Sequence, residues 1–399
     1  MANRDVAGMM EYMRMVRMIQ LFFILHLLLL GSLVVLASAE TPAGKYLAYI
    51  GTYTDTGSKG IYAYRFDPAT GQIDDLGLAA ESVRPSFLTI DPDGRFLYAV
   101  NETDTYQGQP TGSVSAFAID STTGKLTLLN EVPSRGTGPT FITLDRSGRY
   151  VLVANYDSGS VAVFRVSQDG KLGDSTAFVQ HHGSSVDKDR QAGPHPHQVV
   201  LSPDNRFAIV SDLGIDQVLI YPFDSQHGTL GQPHIVKSRP GAGTRHMAFG
   251  SSGKFLYVID ELQNTIVSYS YDSKRGELRE LQTVDTLPKD FQGTNYPAEI
   301  QVDPEENFLY ASNRGADNVA VFAIDHKKGI LKNVSFTSTE GKKPRFFSLD
   351  PTGKWLFAAN QESDNVVVFR VDNKTGHLTP AAQVLHVFTP TCVTFVLLH

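Results

Sequence analysis

Cysteine, basic tracts and nucleophile motifs are what this chain is short of, and each shortage removes a class of function. A single cysteine, Cys392, in 399 residues permits no intramolecular disulfide and no cysteine pair for a metal. Export into an oxidising compartment is thus allowed but not demanded. Lys and Arg number 35 against 42 Asp and Glu, a formal charge of −7, and they form no block. The basic footprint that a phosphate backbone requires is missing, so nucleic acid is not an expected partner. There is no G-x-S-x-G elbow and no H-E-x-x-H helix. A covalent acyl-enzyme on serine is therefore not favoured, nor is a zincin site.

What is present is a chain that can fold well. Apolar residues make up 41% and charged ones 19%, ample for a large core and unlike the composition of disordered chains. The first 39 residues place Arg4, Arg14 and Arg17 ahead of an apolar run from about Leu21 to Leu36, followed by Ala37-Ser38-Ala39. That order is a secretory signal peptide with an A-x-A cleavage site, so residues 1–39 are expected to be removed. The protein is then expected to be periplasmic or secreted. The alternative is an uncleaved N-terminal membrane anchor, because the run with its flanks almost spans a bilayer.

The rest of the chain is repetitive. Seven segments carry a polar stretch, a glycine and then an aliphatic residue: "DPATGQI", "DSTTGKL", "SQDGKL", "DSQHGTL", "DSKRGEL", "DHKKGIL" and "DNKTGHL". Successive glycines, from Gly71 to Gly376, are 53, 46, 58, 48, 53 and 47 residues apart. A period near 50 with strand-like flanks is a propeller blade, and each glycine is expected to supply the positive φ that closes a hairpin. Runs such as "RFLYAV", "RYVLVA", "KFLYVI" and "NVAVFAI" alternate and are rich in aromatic and β-branched residues, as strands are. Four strands per period predict an all-β, seven-bladed β-propeller over residues 40–399. The first repeat lacks its leading strand, while "PTCVTFVLL" at the C-terminus is an orphan. The two are expected to close the ring in one blade.

The phrases "YIGTYT", "PSFLTIDPDGRFLYAVNE", "RQAGPHPHQVVLSPDNRFAIVSDLGIDQVLIY" and "FLYASNRGADNVAVF" resemble the seven-bladed lactonase family. That family includes propeller-type 6-phosphogluconolactonases and fungal carboxymuconate-lactonising enzymes. The resemblance runs from about Tyr46 to the C-terminus. The elements "RQAGPHPH" and "GTRH" carry it most specifically.

A site can also be sought without the family. Aligned on the start of the first strand of each repeat, one column reads Ser86, Thr140, His197, Arg245, Ala298 and Arg345, with Thr391 from the orphan strand. Aligned after the second strand, another reads Glu102, Tyr156, Leu213, Glu261, Arg314 and Gln361. Both columns fall at one end of a blade, because antiparallel neighbours begin and end together. Scaffold positions repeat from blade to blade; these do not. The resemblance implies that His197, Arg245, Glu261 and Arg314 form the catalytic cluster, and all four lie in the two columns. Arg345, Glu299, Gln361 and Tyr156 are further candidates for substrate contact. Arg190, with Gln191, is expected to fold over the rim from the long "VQHHGSSVDKDRQAGPHPH" insertion, with His195 as a supporting rim residue. His246 is expected on the opposite side of its strand from Arg245, packed or bridging.

His181, His182, His195 and His197 lie close in sequence, yet His195 and His197 flank a proline on an extended segment and no second ligand motif supports them. No metal or cofactor is expected. Lactone hydrolysis needs a base, oxyanion stabilisation and an acid. His197 or Glu261 can be the base; Arg245 and Arg314 suit a carboxylate or phosphate and the developing charge. The expected partner is a small-molecule lactone acted on by a monomer, with carboxymuconate-type cyclisation or a non-catalytic binding propeller as alternatives.

Overall fold

A computed structural model describes residues 45–398; the export-signal reading of residues 1–39 lies outside the described residues. The described residues form seven antiparallel sheets and no helix. Blade 1 is ordered Pro390–Leu397, Tyr46–Thr52, Gly60–Asp67, Gln72–Glu81. The other blades take their strands consecutively, and blade 4 has a fifth because its outer edge is split into Thr229–Leu230 and His234–Lys237. The strands Phe87–Ile90, Pro139–Leu144, Pro196–Leu201, Thr244–Phe249, Tyr296–Val302, Pro344–Leu349 and Pro390–Leu397 neighbour one another in a closed circle. They are the innermost strands and line the channel.

The blades interlock through the repeated turn. All seven turn glycines take positive φ, for example 79° at Gly71 and 69° at Gly228, which only glycine does without strain. A Cβ on Gly71 would come within 2.3 Å of the Trp355 ring in blade 7, and one on Gly228 within 2.2 Å of Tyr150 in blade 3. At six of the seven turns the aromatic residue that opens a second strand packs against the bare glycine of the next blade; Gly124 instead faces Leu76, Ala63 and Leu47. Trp355 also donates its indole N–H to the Pro68 carbonyl at 2.9 Å, fastening blade 7 to blade 1.

The C-terminal strand closes the ring. Residues Leu397 to Cys392 pair with Tyr46 to Gly51, and Cys392, Val393 and Val396 are buried with Leu47 and Ile50 in one cluster. Deleting the chain from Pro390 onward removes the channel-lining strand of blade 1 and exposes a paired edge. The truncated protein is expected to lose cooperative unfolding, as followed by circular dichroism on heating. Melting at the parent's temperature would show that closure is not what holds the ring.

Candidate active site

The channel mouth is built on irregular backbone. The innermost strands of blades 3 to 7 each slip register at their start, at Pro139/Phe141, Pro196/Gln198, Thr244/His246, Pro297/Ile300 and Pro344/Phe346; the C-terminal strand slips opposite Gly51/Thr52. A β-bulge sets an extra residue against the partner strand and re-aims its side chain. Thr140, His197, Arg245, Arg345 and Thr391 occupy these extra positions. With Ser86 they line one narrow cavity of about 10 Å3, joined by Glu102, Phe87, His246 and Phe346. Six of the seven members of the first sequence column therefore face one space. A larger surface recess of about 500 Å3, bordered by Lys59, Glu81 and Glu131, shows no such convergence of cations and imidazoles.

Glu261 is the hub of the site. It is 3% exposed and accepts from Arg190 at 2.5 Å on Oε1, and from Arg245 Nε at 2.9 Å and Arg314 at 2.6 Å on Oε2. Burial alone would raise its carboxyl, but Arg314, Arg245 and Arg190 outweigh it and hold it at about 2. It fixes three guanidinium groups in place. Arg245 is buried, and donates also to the Ala298 carbonyl at 2.7 Å. Burial and Arg314 lower it to about 9 against the pull of Glu261, so it remains a cation at neutral pH. Arg314 donates through Nε to the Tyr296 carbonyl at 3.1 Å.

Arg345 differs from these three. It stands over the Tyr53 ring at 5.4 Å, and among the described residues it forms no ion pair. Burial opposes its charge, but Tyr53, Glu102 and Glu261 raise its affinity for the proton. Glu102 itself accepts from the Tyr53 hydroxyl at 2.9 Å.

His197 is 4% exposed and its Nδ1 is buried without a hydrogen-bond partner. Burial first, then Arg245, Arg345 and Arg314, push its pKa well below 6.5, so the ring is neutral at physiological pH. Tyr156 meets it edge-on at 5.5 Å and stacks on His195 at 4.4 Å. His195 is held by its Nδ1 on the Tyr156 carbonyl at 2.8 Å and by its backbone N–H donating to Asp212 at 2.7 Å. It is half-buried beside Tyr156. Gln361 lies just past its strand, with its backbone N–H on Lys343, at the same end of the blade.

Three placements differ from simple expectation. Gln191 does not reach the site: its amide donates to the Leu213 carbonyl and Asp216, anchoring the insertion from below while Arg190 reaches over it. His246 is packed and bridging, but the bulge brings it to the cavity that Arg245 lines. Strict alternation would have separated the two. Glu299 is not a cavity wall; it sits behind His246, with Oε2 2.8 Å from His246 Nδ1. The signal for this deeper layer was in the neighbouring column, Phe87, Phe141, Gln198, His246, Glu299, Phe346 and Cys392, which is as irregular as the first.

Of the two remaining clustered histidines, His182 is exposed and His181 is structural. His181 Nδ1–H donates to Asp212 at 2.6 Å and Nε2 accepts from the Tyr221 hydroxyl at 3.0 Å. Among the described residues no three His, Cys, Asp or Glu side chains converge as metal ligands would.

Comparison with known proteins agrees with this fold. The family described as "Lactonase, 7-bladed beta-propeller" matches residues 47–395. The chain belongs to the seven-bladed β-propeller lactonases. It is 37% identical over 303 residues to the 6-phosphogluconolactonase of Bacillus subtilis, covering 76% of this chain and 84% of that protein. It is 34% identical over 307 residues to a 6-phosphogluconolactonase of Formosa agariphila, covering 75% and 85%. Among solved structures, the periplasmic gluconolactonase of Pseudomonas aeruginosa superposes with a TM-score of 0.83 at 35% identity, over 89% of this chain and all of that one. In this lactonase propeller, His197, Arg245, Glu261 and Arg314, the residues implied by the resemblance, occupy one channel mouth.

Proposed function

We propose that the protein hydrolyses a sugar lactone at the channel mouth, as a 6-phosphogluconolactonase-like enzyme, by general acid–base catalysis that uses no bound metal. The observation that carries this reading is a neutral, buried imidazole facing a surplus of positive charge. Four arginines, Arg190, Arg245, Arg314 and Arg345, stand against two carboxylates, Glu261 and Glu102. Such a site suits a reaction that creates negative charge on an oxygen. A pure binding scaffold has no need of an unbonded imidazole beside it.

The steps follow from the chemistry of the groups. His197 takes a proton from water as the water oxygen adds to the lactone carbonyl carbon. The carbonyl oxygen becomes an alkoxide, and Arg345, free of an ion pair among the described residues, meets that charge together with Arg245. Collapse of the tetrahedral intermediate breaks the ring carbon–oxygen bond and leaves a hydroxy acid. Glu261 acts by holding Arg190, Arg245 and Arg314 in register. Likeness to a periplasmic gluconolactonase and the signal-like N-terminus support a location outside the cytoplasm. One chain supplies every group named.

The test is purified protein on a panel that sets 6-phosphogluconolactone beside gluconolactone, with and without EDTA. Turnover of either, unchanged by the chelator, is expected. No turnover of any lactone overturns the enzyme reading. Inactivation by EDTA with rescue by a divalent ion overturns its metal-free part.

A further inference from the structure

We propose that His246 is the general acid of ring opening, with Glu299 supplying the proton it passes on. The inference rests on the lactonase reading above and names the group that protonates the leaving oxygen. His197 begins turnover by accepting a proton, and a second group at the other end of the scissile bond can donate one there without the first having to move.

His246 is in place to do so. It lines the cavity that His197 lines, with ring centroids 5.0 Å apart and planes at 69°. Its Nε2 is buried without a partner, while Nδ1 lies 2.8 Å from Glu299. Phe141 and Phe87 meet the ring edge-on at 5.5 and 6.2 Å, fixing its plane in apolar surroundings. An imidazole oriented on one nitrogen by a carboxyl group, with the other nitrogen left without a partner beside the cavity, suits an acid–base catalyst.

The surroundings of Glu299 decide which way the proton lies. Oε1 accepts from the Gln301 amide at 3.3 Å, and the backbone N–H of Ile300 and the charge of Arg245 also favour the ionised form. The buried Cys392 thiol is a further neighbour. Burial outweighs all of these and raises the carboxyl to about 8, while burial and Arg245 push His246 well below 6.5. Near neutral pH the pair therefore carries one proton, on the carboxyl. Protonated Glu299 donates to Nδ1, which leaves the imidazole hydrogen on Nε2, the atom without a partner. The orphaned nitrogen is then a donor awaiting an acceptor.

The transfer balances. As the ring carbon–oxygen bond breaks, its electron pair goes to the leaving oxygen, which takes the Nε2 proton. Nδ1 takes the Glu299 proton, and the new carboxylate faces Arg245. The proton that His197 removed from water passes back to the pair, restoring the resting state, and the acid product ionises into solution. His246 touches the reacting atoms; Glu299 acts through it.

The experiment is the pH dependence of kcat for gluconolactone, uncatalysed hydrolysis subtracted, in the parent, Glu299→Gln and His246→Asn, with melting temperatures recorded. The parent is expected to lose activity above pH about 8, roughly tenfold per pH unit. Glu299→Gln, which keeps an amide on Nδ1 but holds no transferable proton, is expected to lower the plateau by roughly 10²–10⁴-fold and to abolish that alkaline limb. His246→Asn is expected to do the same and serves alone if the first variant does not fold. A plateau equal to the parent's, or an alkaline limb that survives in both variants, overturns the assignment. So does a parent with no alkaline limb, which requires no variant at all. If the parent is active, His197→Ala is dead and Glu299→Gln runs at the parent's rate, only this inference fails; a parent inactive on every lactone overturns it together with the lactonase reading.

Discussion

Replacing His197 by alanine is expected to lower kcat by roughly two to four orders of magnitude, the usual worth of a positioned acid or base, with little change in melting temperature. The asymmetry follows from its placement. The side chain has a buried Nδ1 with no hydrogen-bond partner to lose, and the same column position is filled by Ser86, Thr140, Ala298 or Thr391 in other blades. The fold therefore does not depend on an imidazole there, whereas the proposed chemistry does. His195→Ala is expected to cost far less, because that ring is tied to the Tyr156 carbonyl and stacked on Tyr156. The parent should also keep its kcat/KM as pH falls through 6.5, since a base whose proton affinity is depressed stays neutral well into the acid range. A steep acid limb centred at 6.5 would exclude His197 as the base, and His197→Ala turning over lactone at the parent's rate would exclude it from the mechanism.

Glu261→Gln is expected to damage stability and activity together. The change removes the one carboxylate on which Arg190, Arg245 and Arg314 converge, leaving buried guanidinium groups facing one another. Breaking a buried ion pair by neutralising one partner costs about 3–5 kcal/mol, measurable as a lower urea midpoint. With the cations no longer held in register, kcat/KM should fall by about 10² or more, the scale of losing one electrostatic contact to the transition state. There is a pH signature as well. The folded carboxyl titrates at about 2, against 4.5 for the free group. Its contribution to stability is fully present above 4.5 and disappears as pH falls toward 2, so the variant should lose less stability than the parent across that acid interval. A variant as stable as the parent, with the parent's acid sensitivity, would mean that the arginines do not need this anchor.

His246 shows where reading the sequence reaches its limit. Alternation along a strand is a sound rule for regular backbone, and it places Arg245 and His246 on opposite sides. The rule fails here because the register slips between Thr244 and His246, and a bulge depends on how the innermost strand is accommodated at the channel, which no local pattern records. Glu299 is misread for the same reason: its neighbour Ala298 occupies the column position, and the slip between Pro297 and Ile300 turns the glutamate toward His246. Arg190, in contrast, was legible because the insertion that carries it ends in the segment leading to His197, so its reach to the rim follows from chain connectivity.

The blade count, the ring closure and the two irregular columns were determined by the sequence itself. Seven glycine turns repeat because each blade needs the same positive φ, and six of them also leave a bare surface beneath an aromatic ring. Periodic constraints of that kind leave periodic residues, and departures from them mark the site. Which group in the site does what was decided only by the tertiary structure. Glu261 became an anchor when Arg190, Arg245 and Arg314, drawn from blades 5 and 6 and a loop before blade 4, closed on it at 2.5 to 2.9 Å. His197 stayed neutral because burial and the charges of Arg245, Arg345 and Arg314 act on it through space. Proton affinities are set by distance and desolvation, and the sequence encodes both only through the folded ring.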